Sequence, residues 1–132
     1  MKLIDALSKF LLISILLHSN FAFARNYEFI VENPEAKFYV DKSSTIRSSG
    51  NIDTWVLIDY TLGKVNKKGE KYFSMENHLV LDCRSFTQTM KYMKVYMGHM
   101  ASGDVLASGS TNDKRPVGRG STMELILDQL CR

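Results

Sequence analysis

The chain has 132 residues and a formal net charge of +3. That is one domain's worth of protein, and the basic excess is too slight to argue for nucleic-acid binding. It holds only two cysteines, and a domain this small gains much from a covalent tie between them.

The first 24 residues read as a targeting segment rather than as fold. Lys2 and Lys9 flank a short polar start, Phe10 to Leu17 is an apolar run, and Ala22-Phe23-Ala24 supplies the small residues of a cleavage site. That order predicts a secretory signal peptide cut after Ala24. The run is shorter than the roughly 20 residues a membrane helix needs. No cysteine follows it at the expected new N-terminus, so no lipid attachment is expected there. The mature domain is expected to span residues 25–132, to carry a net charge of about +2, and to contain no membrane span. In an exported chain, two cysteines most often form one disulfide, here Cys83–Cys131; a metal site or two free thiols are the alternatives.

Tyr27-Glu28-Phe29-Ile30-Val31 predicts a first strand, Asn33-Pro34-Glu35 a turn, and Lys37-Phe38-Tyr39-Val40 a second strand. Asp41 to Thr45 fits a turn or a single helical turn, since Asp41 and the serines can bond nearby amides. Ser48-Ser49-Gly50-Asn51 is another turn. Ile52 to Thr61 is the clearest strand, with Trp55, Leu57 and Asp59 on one face and Val56, Ile58 and Tyr60 on the other. Both faces are largely apolar, which predicts a central strand covered on both sides.

Gly63 to Lys71 reads as a solvated hairpin connection carrying Lys64, Lys67, Lys68 and Lys71. Tyr72 to Cys83 returns as the partner strand, with Leu79, Leu81 and Cys83 on one face and Glu76, His78, Val80 and Asp82 on the other. Phe86 to Met97 is rich in Thr, Tyr and Val and predicts a strand, although its methionines also fit helical spacing. Asp104 to Ser108 predicts a short last strand, and Gly109 to Gly120 an irregular polar loop. Ser121-Thr122-Met123-Glu124 is a capping box. Met123, Ile126, Leu127, Leu130 and Cys131 form one apolar stripe behind it, so a terminal helix packs on the sheet with Cys131 facing inward. Strands in a row followed by one helix predict an α+β fold: a single antiparallel sheet of about six strands with a C-terminal helix packed on it and one disulfide.

No catalytic set stands out. His78 and His99 lack partners in sequence, no Gly-x-Ser-x-Gly is present, and the cysteines form no Cys-x-x-Cys. Neither a resident metal nor a cofactor is expected. Met90, Met93, Met97, His99 and Met100 with Trp55 would suit Cu(I) chemically. On a regular strand, however, Met90 faces away from Met93 and Met97, so they cannot converge. Haem held by His78 or His99 is likewise not expected, since neither histidine has a partner in sequence. The basic residues fall into two groups, Lys64, Lys67, Lys68 and Lys71, and Lys114, Arg115 and Arg119. Either could meet an acidic polysaccharide or protein surface.

Lys37-Phe38-Tyr39-Val40-Asp41, Thr54-Trp55-Val56-Leu57-Ile58-Asp59-Tyr60, Leu81-Asp82-Cys83, and Pro116 with Gly120-Ser121 and a helix ending in Cys131 follow one another in an order that resembles the surface-adhesin protein E family. These are small exported proteins of Gram-negative bacteria. The resemblance covers nearly all of the mature chain. It implies an antiparallel sheet of about six strands with a disulfide-tied terminal helix. It also implies a non-enzymatic surface protein that binds host extracellular-matrix or plasma proteins. Trp55, Asp59, Tyr60, Cys83 and Cys131 match the pattern as fold residues. A soluble periplasmic domain that binds another envelope protein is the alternative.

Overall fold

The computed structural model describes residues 25–132; the expected signal peptide lies outside the described residues. One antiparallel sheet holds β1 (Tyr27–Glu32), β2 (Ala36–Asp41), β3 (Ile46–Ser48), β4 (Asn51–Val65), β5 (Lys71–Asp82), β6 (Thr87–Tyr96) and β7 (Val105–Pro116). Helix α1 (Thr122–Cys131) follows. The strands run β1-β2-β4-β5-β6-β7 across the sheet, and β3 pairs with β4 beyond the end of β2. The predicted α+β architecture of about six strands is therefore present, with the short β3 lying off the six-strand path. β3 is three exposed residues, Ile46-Arg47-Ser48, too few for any alternation to register. Its turn is legible: Ser49 and Gly50 both take positive φ, 51° and 82°, which a two-residue hairpin turn of the right twist demands.

Alternation along β4 and β5 sorts the sheet into two faces. Opposed residues of an antiparallel pair lie on the same side. Ile52, Thr54 and Val56 oppose Leu81, Leu79 and Asn77 on the side that α1 covers. There Val40, Ile52, Val56, Leu79, Leu81, Val117, Ile126, Leu127 and Leu130 form the core, with Phe38, Met90, Met123 and both cysteines packed against it. The Cys83–Cys131 disulfide closes this layer across 48 residues of chain, a closure that contributes about 4 kcal/mol on loop entropy. The helix begins as predicted, with the Ser121 hydroxyl accepting from the Glu124 amide at 3.2 Å. The return contact differs: the Glu124 carboxylate accepts from the amide of Gly120 rather than from Ser121. The Ser121 amide is already turned to the Gly118 carbonyl.

Two strand expectations are corrected. β7 runs on to Pro116, through the segment expected to be an irregular loop. Its ladder to β6 extends from Tyr96↔Val105 to Thr87↔Pro116. It is an edge strand, mostly exposed on both sides, so water rather than a core set its composition. β4 likewise continues to Val65, past the expected turn at Gly63. Residues 60–63 form an irregularity in the β4–β5 ladder between Asp59 and Lys64, and Gly63 takes φ +73° there.

Candidate binding surface

The two basic groups lie at opposite ends of the sheet. Lys64, Lys67, Lys68 and Lys71 sit at the β4–β5 hairpin tip. Lys114 and Arg115 oppose Thr89 and Gln88 at the other end, and Arg119 follows in the connection to α1. The structure does not join the groups, and it divides each of them. Lys64 is paired with Glu35 at 2.7 Å, which holds the Glu35 carboxyl below its usual range. Arg115 is paired with Asp113 at 2.8 Å. Lys71 lies over the Phe73 ring.

Lys67 and Lys68 project from a turn knit together by Asn66. The Asn66 side-chain oxygen accepts from the amides of Lys68 and Glu70, at 3.0 and 2.9 Å. Its main-chain carbonyl accepts from Gly69, and its amide donates to the Glu70 carbonyl, both at 3.0 Å. The two cations are thus presented on a pre-shaped turn, which lowers the entropy lost on binding. Leu62 and Val65, 83% and 64% exposed, stand beside them. Met97 and Met100 at the β6–β7 turn are also exposed. That turn is fastened to the same end of the sheet: the Asp59 carboxylate accepts from the Met100 amide and pairs with His99, both at 3.0 Å. Basic and apolar groups therefore share the tip.

The methionine expectation needs correction. The β5–β6 ladder slips between His78 and Leu79, so that Met90 opposes Leu79 and Met93 opposes Asn77. The bulge at Lys91 returns both methionines to the helix face, where regular alternation would have separated them. Trp55 lies on the opposite face, with His78 across from it, so the residues that would suit Cu(I) are not assembled around it. Among the described residues, no three His, Cys, Asp or Glu side chains are placed to hold a metal ion.

A groove of about 560 Å³ runs between β1, the turn at Lys42 and the end of α1. Its Arg47 guanidinium donates to the carbonyl of Leu130 and, at 3.4 Å, to that of Arg132. Arg47 therefore serves the helix C-terminus, where the dipole favours a cation.

Sequence reasoning missed the cleft on the face away from α1. Arg25, Trp55, Glu76, His78, Lys91, Tyr92, Lys94 and Ser110 line about 510 Å³. Glu76, nearly buried, accepts from the hydroxyls of Tyr27 at 2.5 Å and of Tyr96. It also pairs with Arg25 at 3.3 Å. Burial, then the bond to Glu76, pushes both phenols well above their usual range. Tyr27 and Tyr96 lie 49 and 20 residues from Glu76 in sequence, so no local pattern announces the cluster.

The profile of the surface-adhesin protein E family matches residues 27–132. This chain belongs to that family. Solved structures of Haemophilus influenzae protein E are similar in fold. One superposes with a TM-score of 0.56 at 16% identity, covering 82% of this chain and 85% of the other. A second crystal form gives 0.61 at 15% identity, covering 82% and 88%. Protein E of a non-typeable strain gives 0.57 at 15% identity, covering 85% and 79%. No curated protein sequence matches significantly. Membership in the adhesin E family accords with the sheet, the helix and the disulfide described above. No helix among the described residues is long and apolar enough to cross a membrane.

Proposed function

We propose that this is an exported, non-enzymatic binding protein whose partner is another protein, an extracellular-matrix or plasma protein of a host. The observation that carries the reading is the hairpin tip, together with the family. Lys67 and Lys68 stand on a rigid turn beside exposed Leu62 and Val65. Charge supplies steering toward an acidic surface, and the apolar pair supplies area to bury. Lys71 adds to the same patch. Lys114, Arg115 and Arg119, at the far end, would be a separate and weaker contact. The signal peptide ending at Ala24 would deliver the domain across the inner membrane.

The test is binding of the purified exported protein to immobilised matrix and plasma proteins. Saturable binding that weakens with salt is expected, and it should fall about tenfold when Lys67 and Lys68 are both changed to Glu. Binding unaffected by that double reversal would remove the hairpin tip from the account.

A second reading has an observation of its own. Both cysteines are consumed by the Cys83–Cys131 disulfide, so neither can carry a lipid anchor. A periplasmic protein that binds another envelope component is compatible with that. It predicts no exposure on intact cells.

A further inference from the structure

We infer that the Trp55–Glu76 wall of the cleft on the face away from α1 is a binding site for an arginine side chain, and that Arg25 occupies it in cis. This inference does not rest on the adhesin reading. Three features define the site. The Arg25 guanidinium lies 3.5 Å over the Trp55 ring, the contact a planar, weakly hydrated cation makes best. Its Nε is 3.3 Å from the Glu76 carboxylate. That carboxylate is also held by the hydroxyls of Tyr27 and Tyr96, so the guanidinium is not its sole partner.

The surround sharpens the ligand class. His78 stacks on Trp55 at 5.0 Å, 10° from parallel, and is fixed by Asp53 at 2.7 Å. Tyr92 tilts against the same indole at 5.9 Å. The aromatic floor is therefore pre-set. Among the described residues, Glu76 is the only carboxylate lining the cleft, whereas Lys91 and Lys94 stand on its rim. Lys91 is tied to Asn112 at 2.6 Å, and Lys94 lies 5.3 Å over the Tyr96 ring. A cation enters best when it is a guanidinium that can both stack and pair, and when an acidic group close to it meets the rim lysines. An arginine next to an acidic residue in a partner polypeptide has that chemistry.

Arg25 competes as an intramolecular ligand. It precedes β1 by only two residues, and such a short tether gives an effective concentration of order millimolar or more. Displacing Arg25 opens the site.

The chain has a single tryptophan, so intrinsic fluorescence reports on Trp55 alone. The exported protein carrying Arg25→Ala is titrated with N-acetyl-arginine amide, and with N-acetyl-lysine amide as control. A saturable change is expected with the arginine probe, about tenfold weaker in the unaltered protein, and lost when Glu76→Gln is added. A tripeptide carrying arginine beside aspartate should bind more tightly than the amide, which would assign the ligand to a polypeptide. Equal affinity would keep the site and assign it to small guanidinium compounds. A linear response, or equal responses to arginine and lysine, would overturn the inference. If Glu76→Gln lowers the melting point too far to assay, Trp55→Leu read by calorimetry replaces it, with loss of heat expected.

Discussion

The two faces of this sheet are built from alternate residues of the same strands, yet they are held in different ways. On one, Val56, Leu79 and Leu81 pack against Ile126, Leu127 and Leu130, and Cys83–Cys131 ties the layer shut. On the other, a single carboxylate, Glu76, gathers Tyr27, Tyr96 and Arg25 beside an aromatic floor. Burial of apolar surface is non-directional and tolerates neighbours of similar size. A shared carboxylate demands geometry, since each donor must reach a particular oxygen. The helix face is therefore the part that makes the domain fold. The opposite face and the hairpin tip are the parts we propose to meet another molecule.

The largest stability effect is expected at the disulfide. Changing Cys83 and Cys131 to Ser together should cost about 4 kcal/mol, read from the shift in denaturant midpoint against the oxidised protein. Leu127→Ala, which empties a fully buried position under α1, should cost about 3 kcal/mol by the same measurement. On the other face, Glu76→Gln keeps an acceptor but loses the charge, and a loss of about 1–2 kcal/mol is expected. If Glu76→Gln proved as damaging as the disulfide variant, the division between a folding face and a binding face would fail.

Stability also depends on pH. The Tyr27 and Tyr96 phenols are raised above their ordinary value of 10.0 by burial and by Glu76. Their contribution to stability is complete below about pH 10 and is lost as the pH rises through the folded-state values. Asp41 moves the other way. Its burial opposes ionisation, but bonds from Ser43 and Ser44 outweigh that and set its carboxyl below the usual range. Its contribution is present above about pH 4 and is lost as the pH falls through the folded value. Denaturation midpoints followed against pH should therefore fall on both flanks, and Tyr27→Phe should reduce the alkaline loss while leaving the acid one. The smallest stability effect is expected at the hairpin tip. Lys67→Glu with Lys68→Glu should move the midpoint by less than about 0.5 kcal/mol while weakening partner binding.

The helix face was largely legible in the sequence. The stripe from Met123 to Cys131, the Ser121 cap and the alternation around Trp55 each follow from one local period, and burial enforces that period. Legibility ended where burial did. In β7, residues such as Ser108, Asn112 and Lys114 face water on an edge strand, so nothing in their order distinguishes a strand from a loop. The bulge at Lys91 was equally hidden. It shifts the register by one residue and so reverses which face Met90 occupies, and register is a property of the pairing rather than of the strand. For the surface, the two basic groups were visible, but the neutralisation of Lys64 by Glu35 and of Arg115 by Asp113 was not. The Glu76 cluster was out of reach for a different reason: its members come from three separate parts of the chain and meet only when the sheet is complete.

The central functional claim is that this domain meets its partner outside the cell. It is tested most directly by treating intact and permeabilised cells with protease and following the protein. Digestion on intact cells is the predicted result. Protection until the outer membrane is breached would contradict surface display and place the binding role inside the envelope.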